Sequence, residues 1–97
     1  MIQSFADPAT EDIYNGRSTK AARKRLSAQL QSVARRKLDA LDAAETLQDL
    51  RVPPGNRLEA LKGDRQGQYS IRINDQFRIC FAWTMNGPEL VEIVDYH

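Results

Sequence analysis

The spacing of apolar side chains changes once along this chain, at Pro53-Pro54-Gly55-Asn56. Before that turn, Leu26, Leu30, Val33, Leu38 and Leu41 recur at helical intervals. After it, Tyr69, Ile71 and Ile73, then Phe77, Ile79, Phe81 and Trp83, recur at every second residue. The first period buries a stripe of a helix, and the second buries one face of a strand. Helices first and a strand meander afterwards define an α+β fold. The N-terminal helices pack on one face of a small, mainly antiparallel β-sheet. A chain of 97 residues forms one domain, residues 1–97.

The element boundaries follow from local chemistry. Met1 to Phe5 reads as a short first strand. Asp7-Pro8 starts a helix, with Asp as N-cap and Pro at the first helical position, and the helix stops near Gly16. Ser18-Thr19 starts a second helix that carries the Leu26 to Leu41 stripe. Asp42 with Glu45 three residues on resembles a capping box for a short third helix through Leu50. Leu58 to Leu61 is a short strand or its lead-in. Asn74-Asp75-Gln76 and Asn86-Gly87-Pro88 are the turns between the later strands, and Glu89 to Val94 is the last one.

Alternation sorts the side chains of the sheet into two faces. The bulky residues from Tyr69 to Trp83 face the helices. The opposite face carries Arg72 and Arg78 beside the small Cys80 and Ala82. Two arginines with small neighbours leave room for a phosphate-bearing ligand. The same pair also fits a solvated polar face, which antiparallel sheets commonly have.

Charge is unevenly distributed although the net charge is +1. Arg17 to Lys37 contains eight basic residues and no acidic one, and no Lys or Arg follows Arg78. Such a run suits either a polyanion or acidic protein partner, or a solvated helix face. The single Cys80 rules out an internal disulfide. One Cys and one His are too few for the usual zinc sets, so no metal and no cofactor is expected. Nothing resembles a signal peptide, and no apolar run approaches the roughly 20 residues of a membrane span, so the expected location is the cytoplasm.

The one histidine is His97, preceded by Asp95 and Tyr96 at the end of the last strand. An unperturbed imidazole titrates at about 6.5, which makes it a candidate acid or base.

Leu58-Glu59-Ala60-Leu61-Lys62-Gly63-Asp64-Arg65, Tyr69-Ser70-Ile71, Arg78-Ile79 and the Asp95-Tyr96-His97 terminus together resemble the HigB branch of the RelE-like bacterial toxins. The Leu-Asp-Ala-Ala segment and the Arg51-Val52-Pro53-Pro54-Gly55-Asn56-Arg57 turn extend the resemblance over nearly the whole chain. The resemblance implies a ribosome-dependent mRNA endonuclease that uses no metal, in which the 2′-hydroxyl of the substrate attacks the adjacent phosphate. It also implies a HigA-like helix-turn-helix antitoxin, contact with operator DNA indirectly through that antitoxin, and action on the 70S ribosome with its mRNA.

In-line attack needs a base, positive charge for the phosphorane-like state and an acid for the leaving oxygen. By match to the family pattern, the catalytic candidates are His97, Lys62, Arg78, Glu59, Asp95 and Tyr96. His97 takes the proton-transfer role, and Lys62 and Arg78 stabilise the phosphate. Asp95 lies two residues from His97 and faces the same side, so it would orient the imidazole, while Tyr96 points to the other face. Some HigB proteins carry His where this chain has Glu59. YoeB-type relatives carry Glu there, which gives a base–clamp–acid set of Glu59, Arg78 and His97. Arg72, Arg65, Arg23, Lys24, Arg25, Arg35, Arg36 and Lys37 are the candidates for RNA and ribosome contact. The alternative, from another class, is a ParE-like toxin that inhibits DNA gyrase by protein contact and has no nuclease chemistry.

Overall fold

Asp7 opens the first helix of the computed structural model, which describes residues 1–96. Its backbone is extended and its carboxylate accepts from the Thr10 N–H at 2.8 Å, ahead of α1 (Pro8–Tyr14). The helix ends before Gly16, whose φ of 73° is a left-handed conformation that glycine adopts without steric cost.

The second helix differs from the sequence expectation. The apolar stripe is continuous, but the backbone breaks into α2 (Lys20–Arg25) and α3 (Ala28–Ala43). Leu26 and Ser27 are both extended, and the Ser27 side chain caps α3 at the Leu30 N–H. Buried Gln31 stabilises the break: its amide donates to the Leu26 carbonyl at 2.9 Å and the Ala22 carbonyl at 3.3 Å. Carbonyls at a helix end need such partners.

The expected third helix is a 3₁₀ helix, Leu47–Arg51, and it starts later than Asp42. Asp42 remains within α3 and accepts from the Ile2 N–H at 2.8 Å. The start is set by Asp49, whose carboxylate accepts from the Glu45 and Thr46 N–H groups at 3.0 Å each. Those two bonds hold its carboxyl below the usual range.

The four strands are β1 (Glu59–Ala60), β2 (Gln68–Arg72), β3 (Phe77–Thr84) and β4 (Gly87–Asp95). They form one antiparallel sheet in that order. Met1 to Phe5 is not a strand. Its contact with the sheet is a parallel bridge from Phe5 to Val91, with backbone bonds from Gln3 to Pro88 and between Ser4, Ala6 and Val91. A bulge in β4 interrupts the ladder there. The register slips between Cys80 and Ala82, Leu90 has a φ of 54°, and its N–H goes to the Ser4 hydroxyl instead of a carbonyl.

Ile71, Ile73, Ile79, Phe81, Val91 and Ile93 cover the helices' apolar stripe, formed by Ile13, Ala22, Leu26, Ala34, Leu38 and Leu41. Tyr69, Phe77 and Trp83 border this core half-buried. Among the described residues, no helix is long and apolar enough to cross a membrane.

Candidate active site

The face of the sheet turned away from the helices is built from cross-strand rows. Glu59 pairs with Ser70, Ser70 with Cys80, and Cys80 with Glu92. The neighbouring row is Arg72, Arg78 and Val94. Alternation then puts Tyr96, two residues beyond Val94, on the Arg78 face.

The Arg78 guanidinium donates to the Ser70 hydroxyl at 3.0 Å and to the Arg57 carbonyl at 3.3 Å. Its carbon sits 5.3 Å from the centroid of the Tyr96 ring, within cation–π range. The Tyr96 hydroxyl in turn donates to the Glu59 carboxylate at 3.5 Å. Glu59, Lys62 and Tyr96 line one cleft of about 490 Å³ together with Ala60 and Leu61. Lys62 is exposed, and its side chain makes no hydrogen bond or ion pair to the other described residues. A carboxylate, a phenol and two cations therefore converge on one side of the sheet.

Asp95 is placed elsewhere. It pairs with Phe77 on the opposite face and lines a cavity of about 540 Å³ between the sheet and α1 and α2. Its carboxylate accepts from the Gln76 side chain at 3.1 Å. The face expected to be shared by Asp95 and the site is thus the helix side, and Tyr96 occupies the site side. Counting from Arg78 opposite Val94 gives this result; counting from the end of the chain does not. His97 lies outside the described residues, and so does its expected pairing with Asp95.

The space expected beside Cys80 is filled. Ser70 and Cys80 are both 0% exposed although they face away from the helices. Arg78 reaches Ser70, while Arg65 reaches across to the Glu92 carboxylate at 3.1 Å and the Gln68 side chain at 3.1 Å. Burial pushes the Cys80 thiol up from its ordinary value; Arg65 and Arg78 pull it down and Glu92 raises it. Arg72 is engaged too, in an ion pair with Asp75 across the turn.

Most of the basic helix residues expected to bind RNA have partners within the fold. Arg25 donates to Asp7 at 3.0 Å and to the Ile93 carbonyl at 2.7 Å, which seals the outer edge of β4. Arg35 donates to the Ile13 carbonyl at 3.2 Å, Arg23 to the Ser18 carbonyl, and Lys37 to the Asn56 side chain. Lys24 and Arg36 are exposed without such partners among the described residues. Asn56 and Arg57 were not singled out by the sequence. Asn56 is 1% exposed and also donates to the Leu50 and Val52 carbonyls, while Arg57 is left-handed at φ 46° and turns its carbonyl toward Arg78.

No group of three or more His, Cys, Asp or Glu among the described residues is arranged to hold a metal ion.

Fold and site together define a RelE-like domain. The YoeB–YefM complex from Staphylococcus aureus matches it with a TM-score of 0.62 at 18% identity, covering 100% of this chain and 98% of that one. The model of the HigB-like toxin family, described as the RelE-like toxin of the type II toxin–antitoxin system HigB, matches residues 3–97, and the chain belongs to that family. Toxin HigB-1 of Vibrio cholerae serotype O1 is 37% identical over 97 residues, 100% of this chain and 98% of the relative. An uncharacterized protein of Haemophilus influenzae is 40% identical over 62 residues, 64% of this chain and 61% of its own length.

Proposed function

We propose that this toxin cleaves mRNA on the translating ribosome and thereby stops translation. The observation that carries the reading is the Arg78–Tyr96–Glu59 contact chain beside Lys62 on the helix-free face. A toxin acting only by protein contact has no need to gather a carboxylate, a phenol and two cations on one face of the sheet.

In this mechanism Glu59 takes the proton of a ribose 2′-hydroxyl. The freed oxygen forms a bond to the adjacent phosphorus, and the bond from phosphorus to the 5′-oxygen breaks. His97 supplies the proton to that leaving oxygen. The products are a 2′,3′-cyclic phosphate and a 5′-hydroxyl end. Arg78 and Lys62 neutralise the charge gathering on the phosphorane-like state, the largest single contribution in most such sites. Tyr96 holds the Arg78 plane and borders Glu59. These groups supply base, charge and acid without a metal.

The partners in this reading are the ribosome and a HigA-like antitoxin, with operator DNA contacted through the antitoxin and action in the cytoplasm. The structural neighbour is itself a complex of two proteins, YoeB and YefM.

The test is translation in vitro with purified protein, intact ribosomes and a defined mRNA, with 5′ ends mapped. The expected result is cleavage inside the coding region that requires ribosomes and persists in EDTA. Intact message together with inhibited gyrase would reverse the assignment.

A further inference from the structure

Lys62 reaches into the cleft from a turn, Gly63–Arg65, that has little core of its own. The turn is exposed at Lys62, Gly63 and Asp64. On its near side, Leu61 is buried and its N–H donates to the Gln68 carbonyl at 2.9 Å. On its far side, the Arg65 N–H closes the turn on the Lys62 carbonyl at 3.3 Å. The Arg65 guanidinium then spans the sheet face, with one arm on Gln68 of β2 and the other on Glu92 of β4, 3.1 Å each. Glu92 stands at the end of the row that begins with Glu59 and runs through Ser70 and Cys80.

We infer that Arg65 and Glu92 form a positioning clamp that fixes the Lys62 turn across the sheet, so that the Lys62 ammonium is held at the scissile phosphate. The inference rests on the proposed nuclease reading and adds two residues to it. Arg65 is then not a docking cation: its charge is spent on Glu92 and Gln68. The ends of the Glu59-to-Glu92 row are linked through the turn, because β1 leads directly into Lys62 and Arg65 returns to β4. A buried Cys80 beneath the clamp keeps the ion pair partly shielded, with the two side chains 33% and 31% exposed. A partly shielded, two-armed guanidinium gives geometric fixation that an exposed pair does not.

The experiment compares Arg65→Gln, Glu92→Gln and the exchanged pair Arg65→Glu/Glu92→Arg with wild type in the ribosome-programmed cleavage assay. Expected is a loss in kcat of about tenfold for each single variant, with KM within about twofold, since displacing a charge-stabilising group costs turnover more than docking. The exchanged pair recovers part of that loss, as coupled residues do in a double-mutant cycle. In parallel, amide hydrogen exchange over residues 61–66 of free Glu92→Gln, a near-isosteric change, is expected to speed up while β3 stays protected. Unchanged kcat in both singles, a Glu92→Gln variant whose KM falls because Arg65 is released to bind RNA, or unaltered exchange in the turn would each overturn the clamp. If wild type itself leaves message intact, the nuclease reading fails, and the exchange measurement still decides whether the clamp exists.

Discussion

The Arg78 guanidinium lies over the Tyr96 ring at 5.3 Å, and that contact ties the end of the chain to the middle of the sheet. Arg78 is also bonded to Ser70 and to the Arg57 carbonyl, so its plane is held from three sides. Tyr96→Phe keeps the ring and loses the hydroxyl that meets Glu59; Tyr96→Ala loses both. An exposed cation–π contact contributes about 0.5–1 kcal/mol. Tyr96→Ala is therefore expected to cleave roughly two- to fivefold more slowly than Tyr96→Phe in single-turnover assays on ribosomes. Equal rates for the two would show that the ring does not hold Arg78.

Asn56 should matter for stability out of proportion to its size. Its side chain serves Lys37, Leu50 and Val52 at once, in a turn whose 3₁₀ backbone bonds run from the Asn56 N–H to Pro53 and from the Arg57 N–H to Pro54. Asn56→Ala leaves those groups without their partner, at a cost of about 2–3 kcal/mol. Urea denaturation followed by circular dichroism reads this as a lowered midpoint with an unchanged slope. A midpoint equal to wild type would mean that water replaces all three bonds.

These residues also show what was legible in the sequence. The change of apolar period gave the α+β class and the order of the elements, because period is a property of neighbours along the chain. Glu59, Lys62 and Arg78 were recognisable from the residue types and motif around them. The positions of Asp95 and Tyr96 relative to Arg78 were not, since they depend on the register of β3 against β4, and the Leu90 bulge shifts that register. The helix break at Leu26 was hidden for a related reason: the apolar stripe continues across it, and Gln31 satisfies the broken end from the next helix. Arg25 and Arg35 read as surface charge because their acceptors, the Ile93 and Ile13 carbonyls, are backbone groups brought near only by folding.

Asp7 gives the stability a definite dependence on acid. Burial raises its pKa, but the Thr10 N–H, the Thr10 side chain and Arg25 together bring it below the ordinary 3.8. A carboxyl with a depressed folded-state pKa stabilises the fold above its unfolded value, and loses that contribution as pH falls through the folded value. The stability difference between wild type and Asp7→Asn should thus be constant near neutrality and shrink as pH falls below 3.8. Asparagine keeps the cap to Thr10, so the variant isolates the charge. Urea midpoints measured across this range check it; a difference that stays constant down to the acid transition would exclude the depressed Asp7 carboxyl as its source.

The basic residues of the helices should separate into two groups when tested one by one. Lys24 and Arg36 are exposed without partners among the described residues, whereas Arg25 and Arg35 are spent on Asp7, Ile93 and Ile13. A cation that meets an RNA phosphate contributes about one unit to the slope of log affinity against log salt. Lys24→Gln and Arg36→Gln are expected to lower that slope for ribosome association, each by about one, and to leave the thermal midpoint unchanged. Arg25→Gln and Arg35→Gln are expected to do the reverse: the midpoint falls because backbone carbonyls lose their donors, and the slope stays as in wild type. Ribosome binding titrated at several salt concentrations, with a melting curve for each variant, tests both halves. If Arg25→Gln lowers the slope as Lys24→Gln does, the guanidinium leaves its fold contacts on the ribosome, and the assignment of Arg25 to the fold alone is wrong.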